Sequence, residues 1–276
     1  HCGPWLSLIR KFILSIPPLF FGAETVAHIH SPTFSTYLER NKVTRLLAKL
    51  ALLPFSKIIV LTPWWKKLLI KNGINKKIIV SPNPCNQRYC VVAQSRLNGS
   101  SNHCNDKPQF QILTMARLIQ GKGVEHVIDA LPLLPSHFQL NIAGEGPLKN
   151  EFKKKVRELN LEKRVNFLGW VKGAEKEELL AESDVFCLPS TYDSFGMVFI
   201  EAMAFNLPVI ANGWGPIEDV VTADVGICCQ KPTAELVAKA IIEIEKNKNQ
   251  FADSGARKVL TQFTPEISSS NIIKVL

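Results

Sequence analysis

Between about residue 110 and residue 229, short runs of aliphatic and β-branched residues alternate six times with amphipathic helical stretches. That alternation is the mark of parallel strands, which need a crossover, usually a helix, to return the chain to the same end of the sheet. Strands are expected at 111–115, 139–143, 164–168, 184–188, 208–211 and 226–229. Helices are expected near 123–133, 147–159, 176–181, 196–205, 216–221 and 234–247. Six strands joined in this way make a doubly wound α/β sheet. The earlier part of the chain has the same rhythm, with strands at 25–29, 57–61 and 77–81 and helices at about 37–53 and 63–71. Pro63 suits a first helical position. The stretch 86–107 has weak periodicity and contains Asn98-Gly99-Ser100-Ser101-Asn102, so it reads as a connection. The expected division is therefore a domain at 1–90, a linker at 91–107, a second domain at 108–262, and a closing helix that begins in 263–276 and returns toward the first domain.

Composition narrows the function classes. A chain of 276 residues with 46% hydrophobic and 21% charged residues can bury two cores. Its apolar stretches are broken by Lys, Arg, Pro or Ser well before the ~18 residues that a membrane-spanning helix needs. Seven cysteines, an odd number and scattered, have neither zinc-site spacing nor disulfide-scaffold density, so reduced thiols and a cytoplasmic setting are expected. The chain begins at His1 with no secretory-leader pattern, and it is expected to be an N-terminally truncated piece.

Charge is unevenly divided. Residues 1–100 hold 14 Lys and Arg against Glu24 and Glu39, a net of +12, which leaves 19 bases and 22 acids, a net of −3, for the rest. The bases Arg45, Lys49, Lys66, Lys67, Lys71, Lys76 and Lys77 lie among Leu46, Leu47, Leu50, Trp64, Trp65 and Leu68. Two readings of that face stand side by side: an anionic membrane surface, which basic amphipathic helices favour, and a solvated basic face. No nucleic-acid motif accompanies these bases, and nucleic acid is not an expected partner.

In a doubly wound sheet ligands bind beyond the carboxyl ends of the strands, so the loops that follow the strands hold the candidates. Arg117 and Lys122 share the loop after the first strand of the second domain and suit either a diphosphate or a solvated surface. Gly144-Glu145-Gly146 follows the second strand. Ser194-Phe195-Gly196-Met197 opens a helix whose free amides make an anion site, unless the glycine serves only a turn. Asp193 precedes that helix, and Glu201 projects from it amid Val198, Phe199, Ile200, Ala202 and Met203. A carboxylate in apolar company needs a partner or a ligand hydroxyl, such as those of a ribose; the other reading is an exposed helix stripe.

The run from Leu188 to Ala211, with Asp193 and Glu201 eight residues apart, resembles the acid-x7-acid signature of the family 4 retaining glycosyltransferases. Arg117-Leu118 with Lys122-Gly123, Ala143 to Pro147, Val165 to Gly169 and Trp214 to Glu218 are similar to the family's other motifs in order and spacing. Upstream, Val26 to Ser31, Ile58 to Thr62 and Val80 to Pro84 resemble strands of its acceptor domain. The departures are Asp193 for the usual Glu, Asn206 for Gly, Trp214 for the first Gly of a pair, and Asn86 for Asp. The family's first βα units have no counterpart.

The resemblance implies a GT-B fold: two Rossmann-like doubly wound domains facing a cleft, the N-terminal acceptor-side one incomplete and the C-terminal one binding the nucleotide-sugar donor. It implies transfer of a sugar from a nucleotide-diphosphate-sugar to a hydroxyl of a saccharide or lipid-linked acceptor, with retention, in surface polysaccharide or glycolipid synthesis. Arg117, Lys122 and the amides near Gly196 would then stabilise the departing diphosphate, with Asp193 at the donor sugar and His30 near the reacting centre. Glu201 would hold the ribose, and Gly144, Glu145, Gly146, Ser194, Phe195, Gly196 and Met197 would line the nucleotide-sugar site. Without a DxD motif or clustered acids, no metal and no cofactor beyond the co-substrate are expected. The setting would be cytoplasmic, peripheral at the inner face of a membrane. A GT-B nucleotide-sugar epimerase and a nucleotide-binding fragment without activity remain as alternatives.

Overall fold

Every strand among the described residues pairs in parallel, in two separate sheets. The computed structural model describes residues 5–99, 108–191 and 193–273. Contacts divide the chain into two units. The first comprises residues up to Pro84, the short segment Asp193–Phe195, and the C-terminal stretch from Pro265; the second comprises Cys85–Tyr192 and Gly196–Thr264.

The first unit runs α1 (Trp5–Phe20), β1 (Val26–Ile29), α2 (Thr33–Glu39), α3 (Lys42–Ala51), β2 (Lys57–Val60), α4 (Pro63–Lys71) and β3 (Lys77–Val80). Its sheet has the order β1-β2-β3, with Ile29 beside Val60 and Val60 beside Val80. The helix α1 was not anticipated, and it ends just past Pro17 and Pro18, whose nitrogens have no hydrogen to donate. The single helix expected at 37–53 is two. Asn41 adopts an extended backbone between them, and its side chain accepts the Thr44 N–H at 2.8 Å, capping α3.

The second unit runs α5 (Gln87–Leu97), β4 (Phe110–Met115), α6 (Val124–Ala130), β5 (Phe138–Ala143), α7 (Lys149–Glu158), β6 (Val165–Gly169), α8 (Gly173–Glu182), β7 (Val185–Leu188), α9 (Met197–Ala204), β8 (Val209–Asn212), α10 (Ile217–Val220), β9 (Gly226–Cys229), α11 (Ala234–Lys246) and α12 (Ser254–Gln262). Last comes α13 (Pro265–Ile273), which packs on β3 in the first unit. The larger sheet has the order β6-β5-β4-β7-β8-β9, so the winding reverses between β4 and β7. That reversal opens a crevice at their carboxyl ends. β7 and β8 are buried at every position, as strands covered on both faces must be.

Two features differ from the sequence expectation. Much of the expected linker is the helix α5, capped by Asn86 and packed on α9 and α12, while 100–107 lie outside the described residues. Periodicity is weak there because only Cys90 and Ala93 are fully buried. The helix α12 was also not anticipated. It is fastened by Asn206, whose side chain accepts the Ala256 N–H at 2.8 Å and donates to Asp253 at 3.0 Å. Asn206 has φ +57°, a conformation that asparagine tolerates better than most residues, which accounts for its standing where glycine is usual.

Candidate functional site

The loops after β4, β5 and β7 are laced together by backbone. Leu118 N–H donates to Glu145 O at 2.9 Å, Leu148 N–H to Leu118 O at 3.1 Å, and Thr191 N–H to Gly121 O at 2.8 Å. Gly144 sits at φ +154° so close to Ala116 O that a Cβ would collide with that oxygen. Its glycine is thus required by the meeting of two loops, whatever binds beside it. The result is a fixed rim around the switch point.

Below that rim lies a cavity of about 250 Å³. Arg117, Gly144, Met197 and Glu201, all singled out from the sequence, line it together with Trp170, Val171 and Lys176. Gly196 starts α9 at φ +76°, where a Cβ would strike the Phe199 ring, so the first turn of α9 begins close to the core and Met197 is delivered to the cavity wall.

Glu201 is the only charged residue of α9, whose Phe199, Ile200, Ala202, Met203 and Ala204 are buried. Its side chain is 19% exposed, which removes the reading of an exposed stripe. Its partner is Lys176 of α8, with Nζ 2.6 Å from Oε2. Lys176 also lies over the Tyr89 ring of α5, 5.8 Å from its centroid. Burial, with the Glu201 and Glu177 carboxylates nearby, pushes the Tyr89 hydroxyl up to about 12, so it stays protonated and uncharged. Burial likewise raises the Cys85 thiol to about 12 and lifts Cys187 well above the usual thiol range, so neither supplies a thiolate nucleophile.

Other candidates lie elsewhere. Glu145 is on the surface, ion-paired with Lys149 at 2.5 Å, and Gly146 approaches the Leu118 backbone rather than the cavity. Lys122 is half-buried in the turn before α6, outside the cavity lining. Asp193, Ser194, Phe195 and His30 belong to the first unit. Phe195 is a core side chain at 2% exposure, so only its backbone can meet a ligand, and Trp65 Nε1–H donates to Ser194 O at 3.1 Å. His30 follows β1 with its ring centroid 3.7 Å from that of His28. Burial, then His30, lowers His28 to about 4, and burial also lowers His30, so both rings are neutral near pH 7. Among the described residues, no group of three His, Cys, Asp or Glu is gathered as a metal site would require.

Sequence reasoning passed over Trp170, Val171 and Lys176. The first two stand in the loop after β6, and the rule that picked out the loops after other strands covers them too. Lys176 has no local signal, being 25 residues from Glu201 on a different helix.

Comparison with known proteins bears on this geometry. The family model described as glycosyl transferases group 1 matches residues 100–258. An uncharacterized glycosyltransferase of Methanocaldococcus jannaschii is 35% identical over 166 residues, 59% of this chain and 40% of that protein. The N-acetyl-alpha-D-glucosaminyl L-malate synthase of Bacillus anthracis is 34% identical over 151 residues, 52% of this chain and 39% of that one. These matches thus span about two fifths of each relative's length. Among solved structures, HepE of Anabaena in complex with UDP superposes with a TM-score of 0.79 at 20% identity, covering 97% of this chain and 75% of that one. The likeness establishes the fold, an α/β architecture of GT-B type.

Proposed function

The chain belongs to the glycosyl transferases group 1 family, and on that footing we propose that it is a retaining glycosyltransferase that moves a sugar from a nucleotide-diphosphate-sugar to a hydroxyl of a saccharide or lipid-linked acceptor. The observation that carries this reading is the cavity at the β4/β7 switch point, where Arg117, the start of α9 and Glu201 line one space. Arg117, Lys122 and the first amides of α9 supply positive charge for the departing diphosphate, without a metal ion. The Glu201 carboxylate accepts from the ribose hydroxyls, and Trp170, 65% exposed at the cavity, offers a flat apolar face to the base. The reading keeps Asp193 for the donor sugar and His30 for the reacting centre. Relatives that include an N-acetyl-alpha-D-glucosaminyl L-malate synthase, and a similar structure in complex with UDP, support it.

The acceptor belongs, in this reading, to surface polysaccharide or glycolipid synthesis. No helix among the described residues is long and apolar enough to cross a membrane. On α3, however, Val43, Leu46, Leu47 and Leu50 are exposed beside Lys42, Arg45 and Lys49, the composition of a helix that lies on an anionic lipid surface.

The test is a thermal-shift titration with UDP, GDP and ADP, with and without EDTA. A shift for one nucleotide that survives EDTA, and that Glu201→Ala abolishes while leaving the unliganded melting temperature in place, is the expected result. Ligand at ~100 times Kd adds ~2.7 kcal/mol of stability. No shift with any of the three would overturn donor binding by this chain.

A further inference from the structure

Glu201 is held by a lysine of a neighbouring helix, and that helix is itself tied down. Lys176 Nζ reaches its Oε2 at 2.6 Å, and the two side chains are only 21% and 19% exposed. One residue further along α8, Glu177 Oε2 accepts from Arg88 Nη2 of α5 at 2.7 Å. That tie anchors α8 to α5 at the turn that presents Lys176, while the Tyr89 ring lies 5.8 Å from the same ammonium. Both Lys176 and Glu201 line the cavity, so the ion pair is part of its wall.

We propose that Lys176 is a specificity-determining positioning residue: it pins Oε2 of Glu201 so that Oε1 is presented, ionised and oriented, to the vicinal hydroxyls of a ribonucleoside diphosphate. The proposal rests on the reading that Glu201 faces the ribose. An ionised carboxylate only accepts hydrogen bonds, and the two ribose hydroxyls are its natural donors. A glutamate has three side-chain torsions, whose freedom an unassisted ligand would have to remove on binding. Lys176 removes it beforehand, which is preorganisation. A nucleotide without those hydroxyls gains nothing from the arrangement, so Lys176 sets the preference for ribose over deoxyribose and acts little on the rest of the ligand. With its charge engaged by Glu201, Lys176 leaves the diphosphate to Arg117 and Lys122.

The experiment measures the affinities of UDP, GDP and ADP and of their 2′,3′-dideoxy counterparts for the whole chain and for Lys176→Met, Lys176→Arg and Glu201→Gln. The parent chain is expected to prefer the ribo form of its best nucleotide about tenfold or more, the value of a hydrogen bond to a charged group. Lys176→Met should bring that preference to within about twofold of parity while leaving dideoxy affinity almost unchanged, and Lys176→Arg should restore most of it. Equal weakening of ribo and dideoxy forms would place the ammonium on the phosphates and overturn the proposal. So would a preference that survives Lys176→Met intact. A parent chain that binds nucleotide with no ribo preference, unchanged in Glu201→Gln, would instead overturn the ribose reading itself. Should Lys176→Met lose its cooperative melt, Lys176→Gln, which keeps a polar side chain and the Glu201 carboxylate, and Lys176→Arg decide. Parity in the first with preference in the second supports the proposal, and any other pattern overturns it.

Discussion

The two parallel sheets of this chain are built from similar strands and finish in different surroundings. In the second unit β7 and β8 are buried at every residue and α9 turns five of its eight side chains into the core. In the first unit the sheet has three strands, Lys77 of β3 is exposed, and the helices around it leave large apolar side chains open, Leu6 at 83% and Val43 at 66% among them. The charge follows the same division, with 13 Lys and Arg against four acids in the first unit, a net of +9, and 20 of each in the second. A unit that buries its strands on both faces can hold a cavity wall firmly, as the proposed donor site needs. On the proposed reading, the open leucines among lysines of the first unit would meet a soft, anionic surface.

The largest effect that would test this contrast is in the core of the second unit. Phe199, 1% exposed and set edge-on to Phe186 with ring centroids 5.9 Å apart, should cost ~3–5 kcal/mol of stability on replacement by Ala, measured by denaturant titration. A loss below ~1 kcal/mol would mean that this packing is looser than its burial indicates.

A smaller effect should distinguish the units by pH. His28 titrates near 4 in the folded chain, depressed by burial and then by His30, and near 6.5 when unfolded. At pH 7 both states are neutral at this ring; between 6.5 and 4 the unfolded state takes the proton first, so stability present above pH 6.5 is lost as pH falls toward 4. In a Trp170→Phe/Trp214→Phe variant the remaining Trp5, Trp64 and Trp65 report on the first unit alone. Their denaturation midpoint should fall across that window, and His28→Gln should flatten the fall. A midpoint constant from pH 6.5 to 4 would remove the histidine from the account.

The smallest effect should appear on the open face. Leu50→Ser on α3, where Leu50 is 44% exposed, should change stability by no more than ~0.5 kcal/mol while reducing co-sedimentation with anionic vesicles. Unchanged sedimentation would leave α3 a solvated face.

Much of the architecture was legible because parallel βα alternation is written locally. Each strand is a short apolar run, each helix a periodic stretch, and Pro63, Gly123 and Gly196 mark where helices begin. The strand ends point to Arg117 and Gly144, and a lone carboxylate amid the apolar residues of a helix points to Glu201. Where burial was thin the pattern failed, as for α5, or where caps came from afar, as for α12 and its tie to Asn206, 50 residues earlier.

By itself, then, the sequence determined the strands of both sheets and the helices that join those of the larger one, the acid-x7-acid pattern and the glycine-bearing loops, since these depend on neighbours a few residues apart. Only the tertiary structure decided that Glu201 is paired, that its partner is Lys176, that α5 braces both, and that Phe195 is core. Those outcomes depend on which helices a wound sheet brings side by side, and an ion pair between two helices leaves no periodicity in the chain that forms it.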